Sequence, residues 1–285
     1  MVVALPIFGA FVLGLGARRW LQRYFAVLFR AQFALGMGLL AALSGWGFDV
    51  TLRNVAALGV LLVAQVSAVV LAERLFRDRT DGPLIAFGMF GNPTFWSLPV
   101  AAVTIGPEAG VFIVAYDMLT QPRIALGVKL LRTRAPVEQS RSSALADYAP
   151  AAAAVAGLLF GLLIDAPSVV ASIVTGLGIA MSMVAALLLG VAWPREWIGR
   201  CTAKLSLRGL ALHLTFVPAV LGAATLLGLD LPGAAWILAF GPLPVSIVAF
   251  ARLYGYSTRT AATGLALSVA LALALLPVAL LLSHS

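Results

Sequence analysis

The sequence predicts an all-α integral membrane protein with ten transmembrane helices in two inverted-topology five-helix repeats, in which helices 4 and 9 are discontinuous and cross. Three observations predict this class. Of the 285 residues, 62% are hydrophobic and only 11% are charged, whereas soluble domains average about 25% charged residues. Basic residues fall on alternate loops, and prolines interrupt one apolar segment at a corresponding place in each half of the chain.

The composition also limits the kinds of site that the chain can carry. A mean hydropathy of +1.04 leaves too few polar residues to cover a water-soluble core. The single cysteine, Cys201, excludes an intramolecular disulfide framework and a cysteine-built metal site. The net charge of +8 indicates membrane topology rather than nucleic-acid binding, because the basic residues are dispersed between apolar segments.

Ten segments are predicted to cross a bilayer, which takes about 20 apolar residues. They are 2–17, 21–43, 54–73, 83–104, 108–131, 148–165, 167–192, 205–228, 231–252 and 258–282, numbered here as spans one to ten. No basic residue precedes the first span, whereas Arg18 and Arg19 follow it. This order predicts an uncleaved span that starts outside the cytoplasm, not a signal peptide.

Basic residues of the connections alternate from one side of the membrane to the other. One side carries Arg18, Arg19, Arg23, Arg74, Arg77, Arg79, Lys129, Arg132, Arg134, Arg141, Arg195, Arg200, Lys204, Arg208, Arg252 and Arg259. The other carries Arg53, Asp49, Glu108, Asp165 and Asp230. Because cytoplasmic loops collect Lys and Arg, both termini are predicted to lie outside the cytoplasm, in a multi-pass protein of the plasma membrane (the inner membrane of a bacterium).

A polar connection from Arg132 to Asp147 separates five spans from five. It predicts a first repeat of residues 1–135, a cytoplasmic loop of residues 136–147 and a second repeat of residues 148–285. Since five is odd, the second repeat enters the membrane from the opposite side, so a duplication would be inverted.

Spans four and nine contain interruptions. The stretches FGNPTFWSLPV (90–100) and LAFGPLPVSIVAF (238–250) each carry two prolines, which remove backbone donors and disturb the preceding turn. Paired interruptions in two repeats point to the central site of a transporter. The predicted substrate-binding residues are Asn92, Pro93, Thr94, Trp96, Ser97, Pro99, Pro242, Pro244, Ser246 and, from span three, Gln65.

The predicted site favours an anion. Each half-helix that begins after a break presents free N–H groups and the positive end of a dipole, near residues 94–97 in span four and near Ser246 in span nine. Neither interruption contains a carboxylate. The alternative is that the prolines only kink packed helices.

Other polar residues lie within the predicted spans, and each has two interpretations. Asp117, with Gln121 one turn later, either carries a coupling proton or forms a structural ion pair with Arg30 or Arg123, since a carboxylate in the bilayer is costly and marks function by default. His213 is either a packed, hydrogen-bonded side chain or a proton relay. Gln65 lines a cavity or bonds across helices, and Trp96 caps the site or fills space.

Three stretches resemble the auxin efflux carrier family of membrane transporters. ALPIFGAFVLGLGARR is similar to its opening span, GNPTFWSLPVAAVTIGPEAG to its fourth, and PLPVSIVAFARLYGYSTRTAATGLALSVALALALLP to its ninth and tenth. The stretches follow the family's order along the chain. Pro93 and Thr94 replace a common Thr-Gly or Tyr-Gly pair, and Phe95 and Trp96 replace small residues, so the family's substrate size and shape are not carried over.

This resemblance implies two inverted five-helix repeats, a fold shared with bile-acid sodium symporters and sodium–proton antiporters. Spans four and nine would cross in a transport domain, and spans one, two, six and seven would form a scaffold that often makes homodimers. Family members move auxin in plants and are linked to malate or malonate in bacteria. By this resemblance, Asn92, Pro93, Pro99 and Pro244 would flank the central site.

The sequence therefore predicts a secondary active carrier of a small organic anion, such as a carboxylate or dicarboxylate, that works by alternating access. It contains no Gly-Lys-Ser/Thr phosphate loop, no His-Glu-x-x-His and no Gly-x-Ser-x-Gly, so no enzyme activity, cofactor or metal is expected. Coupling to protons is expected before coupling to sodium. Two alternatives stay open: an intramembrane enzyme that uses Asp117 and His213, and a non-transporting membrane assembly protein.

Overall fold

The computed structural model describes residues 4–119, 131, 144–194 and 200–283, and this part of the chain is helical, with no strand. Its α-helices are α1 (Ala4–Leu21), α2 (Phe25–Ala31), α3 (Met37–Trp46), α4 (Leu52–Leu75), α5 (Gly82–Gly88), α6 (Leu98–Thr104), α7 (Pro107–Leu119), α8 (Ala144–Gly161), α9 (Val169–Ala192), α10 (Arg200–Leu226), α11 (Gly233–Ala239), α12 (Ser246–Leu253) and α13 (Thr258–Ser283). Two π-helical segments, Gln32–Gly36 and Pro93–Ser97, and a 3₁₀ turn, Gln22–Tyr24, lie between helices.

Described helices occupy all ten predicted segments. Span two is built from α2, a π-helical segment and α3, and span five is described as far as Leu119. Among the residues that the structure describes, four helical segments are long and apolar enough to cross a membrane: Leu52–Leu75, Val169–Ala192, Leu207–Leu226 and Thr258–Ser283. The all-helical class is thus confirmed, and these four segments indicate a membrane protein. The sidedness of the termini stays a prediction.

The chain divides into two compact units, and neither is continuous in sequence. Unit 1 comprises residues 1–48, 93–122 and 139–193, and unit 2 comprises residues 49–92, 123–138 and 194–285. The division passes between Asn92 and Pro93, inside the interruption predicted for span four. This division reflects which segments pack together, and it does not test the predicted repeats of residues 1–135 and 148–285. Most of the predicted loop between them, residues 136–143, lies outside the described residues.

Unit 1 is held by helices that approach closely at glycines. Helix α1 packs against α9, and α3 packs against α8. A side chain at Gly14 would meet the carbonyl of Leu187, and one at Gly45 would meet the carbonyl of Ala154. Small residues let helix backbones approach in this way, and such close contact is a main source of association between membrane helices.

Unit 2 has an apolar centre and polar contacts at its ends. The rings of Phe87 and Phe250 meet edge to face, with 5.0 Å between their centroids. Arg53 Nε lies 3.0 Å from Asp230 Oδ2, in an ion pair whose side chains are at least half exposed. The hydroxyl of Thr260 donates to Asp81 Oδ2 over 2.8 Å. Because exposed ion pairs contribute little stability, the apolar contacts are the main source of cohesion in this unit.

Candidate functional site

Span four is interrupted between α5 and α6, as predicted. Helix α5 ends at Gly88, residues 89 and 90 form a turn, and Gly91 has a φ of +67°, a left-handed conformation that favours glycine. The π-helical segment Pro93–Ser97 follows and leads into α6. Residues 82–94 are all buried, so the break lies in the protein interior.

Pro99 lies in the first turn of α6, directly after the π-helical segment. The non-helical backbone of the break is at Gly91 and Asn92, which precede Pro93.

Span nine is interrupted between α11 and α12. The segment from Phe240 to Pro244 is non-helical, and its last four residues are buried. Pro242 and Pro244 have no backbone N–H, and the N–H of Leu243 between them donates to Ser268 Oγ of α13 over 3.1 Å. Ser268 in turn donates to the carbonyl of Leu265 over 2.7 Å. The hydroxyl of Ser268 thus accepts from the backbone N–H that lies between the two prolines.

The two breaks approach each other within unit 2 through the side chain of His213. This residue belongs to α10, is fully buried, and its Nε2 lies 3.1 Å from the carbonyl oxygen of Gly241 in the span-nine break. A Cβ placed on Gly91, in the span-four break, would lie 3.6 Å from His213 Cε1 and 3.5 Å from Gln65 Nε2. We call Gln65, Gly91, His213 and Gly241 the His213 cluster.

A second polar group lies in unit 1. The hydroxyl of Thr94, in the π-helical segment of span four, donates to Asp117 Oδ2 of α7 over 2.5 Å. Ser182 of α9 donates to the carbonyl of Gly178 over 2.8 Å and lies 3.4 Å from the carbonyl of Thr94. All three polar side chains are at most 6% exposed. We call Thr94, Asp117 and Ser182 the Asp117 cluster.

Asp117 changes the electrostatics inferred from the sequence. The argument for an anion noted that the interruptions themselves contain no carboxylate. Folding brings one from α7 to Thr94, close to the start of the second half of span four, where free N–H groups carry positive partial charge. A carboxyl group therefore already lies at that helix start.

Most of the predicted substrate-binding residues lie in the interior. The buried ones are Asn92, Pro93, Thr94, Ser97, Pro99, Pro242, Pro244 and Gln65. Trp96 and Ser246 are half-buried. Neither expected arginine partner of Asp117 is described: Arg123 lies outside the described residues, and so does the side chain of Arg30. Gln121 also lies outside the described residues.

Sequence reasoning missed Ser182 and Ser268, although a signal was present. Each is a serine inside a long apolar segment, and such residues often bond across membrane helices. Their partners, Thr94 and Leu243, could not be identified from spacing, because 88 and 25 residues of chain separate them from the serines.

A small cleft in unit 2 adjoins the His213 cluster but differs from it chemically. Its walls include Leu84, Met89, Leu210 and Leu243, and Thr260 is its polar residue. It has no charged lining group.

Within the described part of the chain, no group of three His, Cys, Asp or Glu side chains is placed to hold a metal ion. Comparison with family models and with curated proteins gave no match to this chain. The similarity to auxin efflux carriers therefore stays a prediction from the three stretches that carry it.

Proposed function

We propose that this protein is a secondary active carrier of a small organic anion, working by alternating access around its two interrupted helices. The observation that carries the proposal is the burial of non-helical backbone at Gly91–Asn92 and Gly241–Pro244. Backbone that leaves a helix inside a membrane is tolerated where it is enclosed by protein or lines a cavity. Two such places in matching spans are characteristic of transporter binding sites.

Helix pairing supports an inverted repeat. If span one corresponds to span six, span two to span seven, and so on, each packed pair should have a counterpart. The α1–α9 pair (spans one and seven) corresponds to the α3–α8 pair (spans two and six). Likewise, α4–α5 corresponds to α10–α11, and α6–α7 to α12–α13. These correspondences are what two related repeats of opposite orientation would produce.

Two polar contacts, each between connections that were assigned to the same side of the membrane, support the proposed sidedness. Arg53 and Asp230 belong to connections assigned to the outside, and they form an ion pair. Asp81 and Thr260 belong to connections assigned to the cytoplasm, and they share a hydrogen bond. An error of one span between the two members of a pair would have assigned them to opposite sides.

The start of α12 is the better of the two positions for the anion. Its N-cap residue, Val245, provides no side-chain cap, so the first turn keeps donors available for a ligand. Neither α11 nor α12 contains an acidic residue. The start of α6 is less suitable, because Asp117 already brings a carboxylate to Thr94.

The test is uptake of labelled mono- and dicarboxylates by purified protein in liposomes, with and without proton and sodium gradients. We expect at least one carboxylate to accumulate above the level in protein-free liposomes, with stimulation by a proton gradient rather than by sodium. If correctly inserted protein takes up none of the carboxylates, the proposal is contradicted. That outcome would favour the membrane enzyme or assembly protein.

A further inference from the structure

The imidazole of His213 is held in one tautomer by its surroundings. A backbone carbonyl can only accept a hydrogen bond, so the 3.1 Å contact with Gly241 requires the proton on Nε2. In the neutral ring, Nδ1 is then a bare acceptor. Among the described residues it has no hydrogen-bond partner, and the side chain is fully buried. A buried acceptor without a donor is rare and calls for an explanation.

The backbone around the ring would stabilise a positive charge. Besides the carbonyl of Gly241, the backbone of Met89 interacts with the ring. Met89 follows the end of α5, and Gly241 follows the end of α11. Both therefore belong to the carbonyl-rich ends of half-helices, where the partial charge is negative. These carbonyls offset part of the cost of burying an imidazolium, whose second N–H would be on Nδ1.

The helices that pack against α10 carry few charged residues. Helices α5 and α11 have none, and α13 has Arg259 in its first turn. On α4 the charged residues are Arg53, Glu73 and Arg74, and the closest of them, Glu73, is eight residues or about 12 Å along the helix from Gln65. On α10 itself the charged residues are Arg200, Lys204 and Arg208, at least five residues before His213, and Arg208 is exposed. His213 is therefore the titratable group among the described residues of this cluster.

We infer that Nδ1 of His213 is the binding site of the proton that couples transport to the proton gradient. This inference rests on the proposed carrier function and assigns its coupling group. A proton taken from water on one side converts the ring to a cation that binds the half-helix ends of both breaks. Its release to water on the other side restores the neutral acceptor and weakens that link. Proton occupancy thus biases the arrangement of the two breaks.

The first experiment compares proton-driven uptake by the unaltered chain and by His213→Gln, whose amide N–H can still donate to Gly241 but does not titrate. The measured quantity is the ratio of carboxylate uptake with and without an inward proton gradient, which does not depend on how much basal transport a variant keeps. Thr215→Val serves as the matched control, because Thr215 is exposed on the same helix. We expect stimulation in the unaltered chain and in Thr215→Val, and none in His213→Gln. Equal stimulation in all three would overturn the inference.

The second experiment needs no transport. Protein labelled with ¹⁵N-histidine and carrying His284→Asn has one histidine signal set, since the chain contains two histidines. We expect the ring signals to change across a pH series, with Nδ1 as the nitrogen that gains the proton. Ring signals that stay constant would overturn the inference. If the ring titrates but the unaltered chain moves no carboxylate, the proposed function fails and the proton site stands.

Discussion

The hydroxyl of Thr94 donates a hydrogen bond to Asp117 Oδ2, and this bond joins the interruption of span four to α7. Thr94 is fully buried and Asp117 is 6% exposed. A buried carboxylate is tolerated when donors and favourable dipoles surround it, and the nearby half-helix start provides a favourable dipole. This bond supports a structural role for Asp117, in which its partner includes a threonine hydroxyl as well as any basic side chain.

We first predict that Thr94→Val destabilises the protein. Valine keeps the shape of threonine but removes the donor, so the buried carboxylate of Asp117 loses a hydrogen bond, at a cost of about 1–3 kcal/mol. The measurement is the melting temperature in detergent. The control is Thr215→Val, which removes an exposed hydroxyl that bonds only within its own helix, to Ala211 and Leu212. Equal losses in the two variants would show that the bond to Asp117 adds nothing.

The second prediction distinguishes the two interpretations of Asp117. Asp117→Asn keeps an oxygen that can accept from Thr94 and removes the titratable group. If the coupling proton binds His213, uptake by this variant should keep the pH dependence of the unaltered chain. The measurement is initial uptake in liposomes across a pH series. A flat profile would instead assign the coupling proton to Asp117.

The helices and their interruptions were predictable because they have local causes. Spans were found from apolar runs of sufficient length, and the breaks from prolines that cannot donate to a helix. The π-helical segment Gln32–Gly36 contains no proline, so its composition did not predict a departure from the α-helix.

The polar contacts of the candidate site were not predictable, because they join distant parts of the chain. Asp117 was identified as an intramembrane carboxylate, but nothing in the spacing indicated Thr94 as its partner. Similarly, the prolines of span nine predicted freed backbone groups without indicating that Ser268 binds one of them. Which side chain reaches a freed donor depends on helix packing, and a single sequence does not specify that packing at the level of atoms.

A third prediction concerns that serine. Ser268→Ala should destabilise the protein by about 1–3 kcal/mol, because the buried N–H of Leu243 loses its acceptor, and it should reduce carboxylate uptake by disturbing the span-nine break. Both melting temperature and uptake are measured. Ser283→Ala is a matched control, since Ser283 lies on the same helix and bonds to the carbonyl three residues before it, as Ser268 does. A similar loss in both variants would mean that the bond to Leu243 has no special importance.

The fourth prediction is that Asn92→Ala abolishes carboxylate uptake while the protein stays folded. Asn92 is 5% exposed and lies between Gly91 and Pro93, in backbone that belongs to no helix and within the span-four break that we propose to take part in substrate binding. Uptake in liposomes, normalised to inserted protein, tests transport, and the melting temperature tests folding. Asn54→Ala is the control, because that amide lies at the exposed start of α4, away from the breaks, where it donates to the carbonyl of Asp49 over 2.9 Å. Normal uptake by Asn92→Ala would remove Asn92 from the site, and a loss of folding would show that its role is structural.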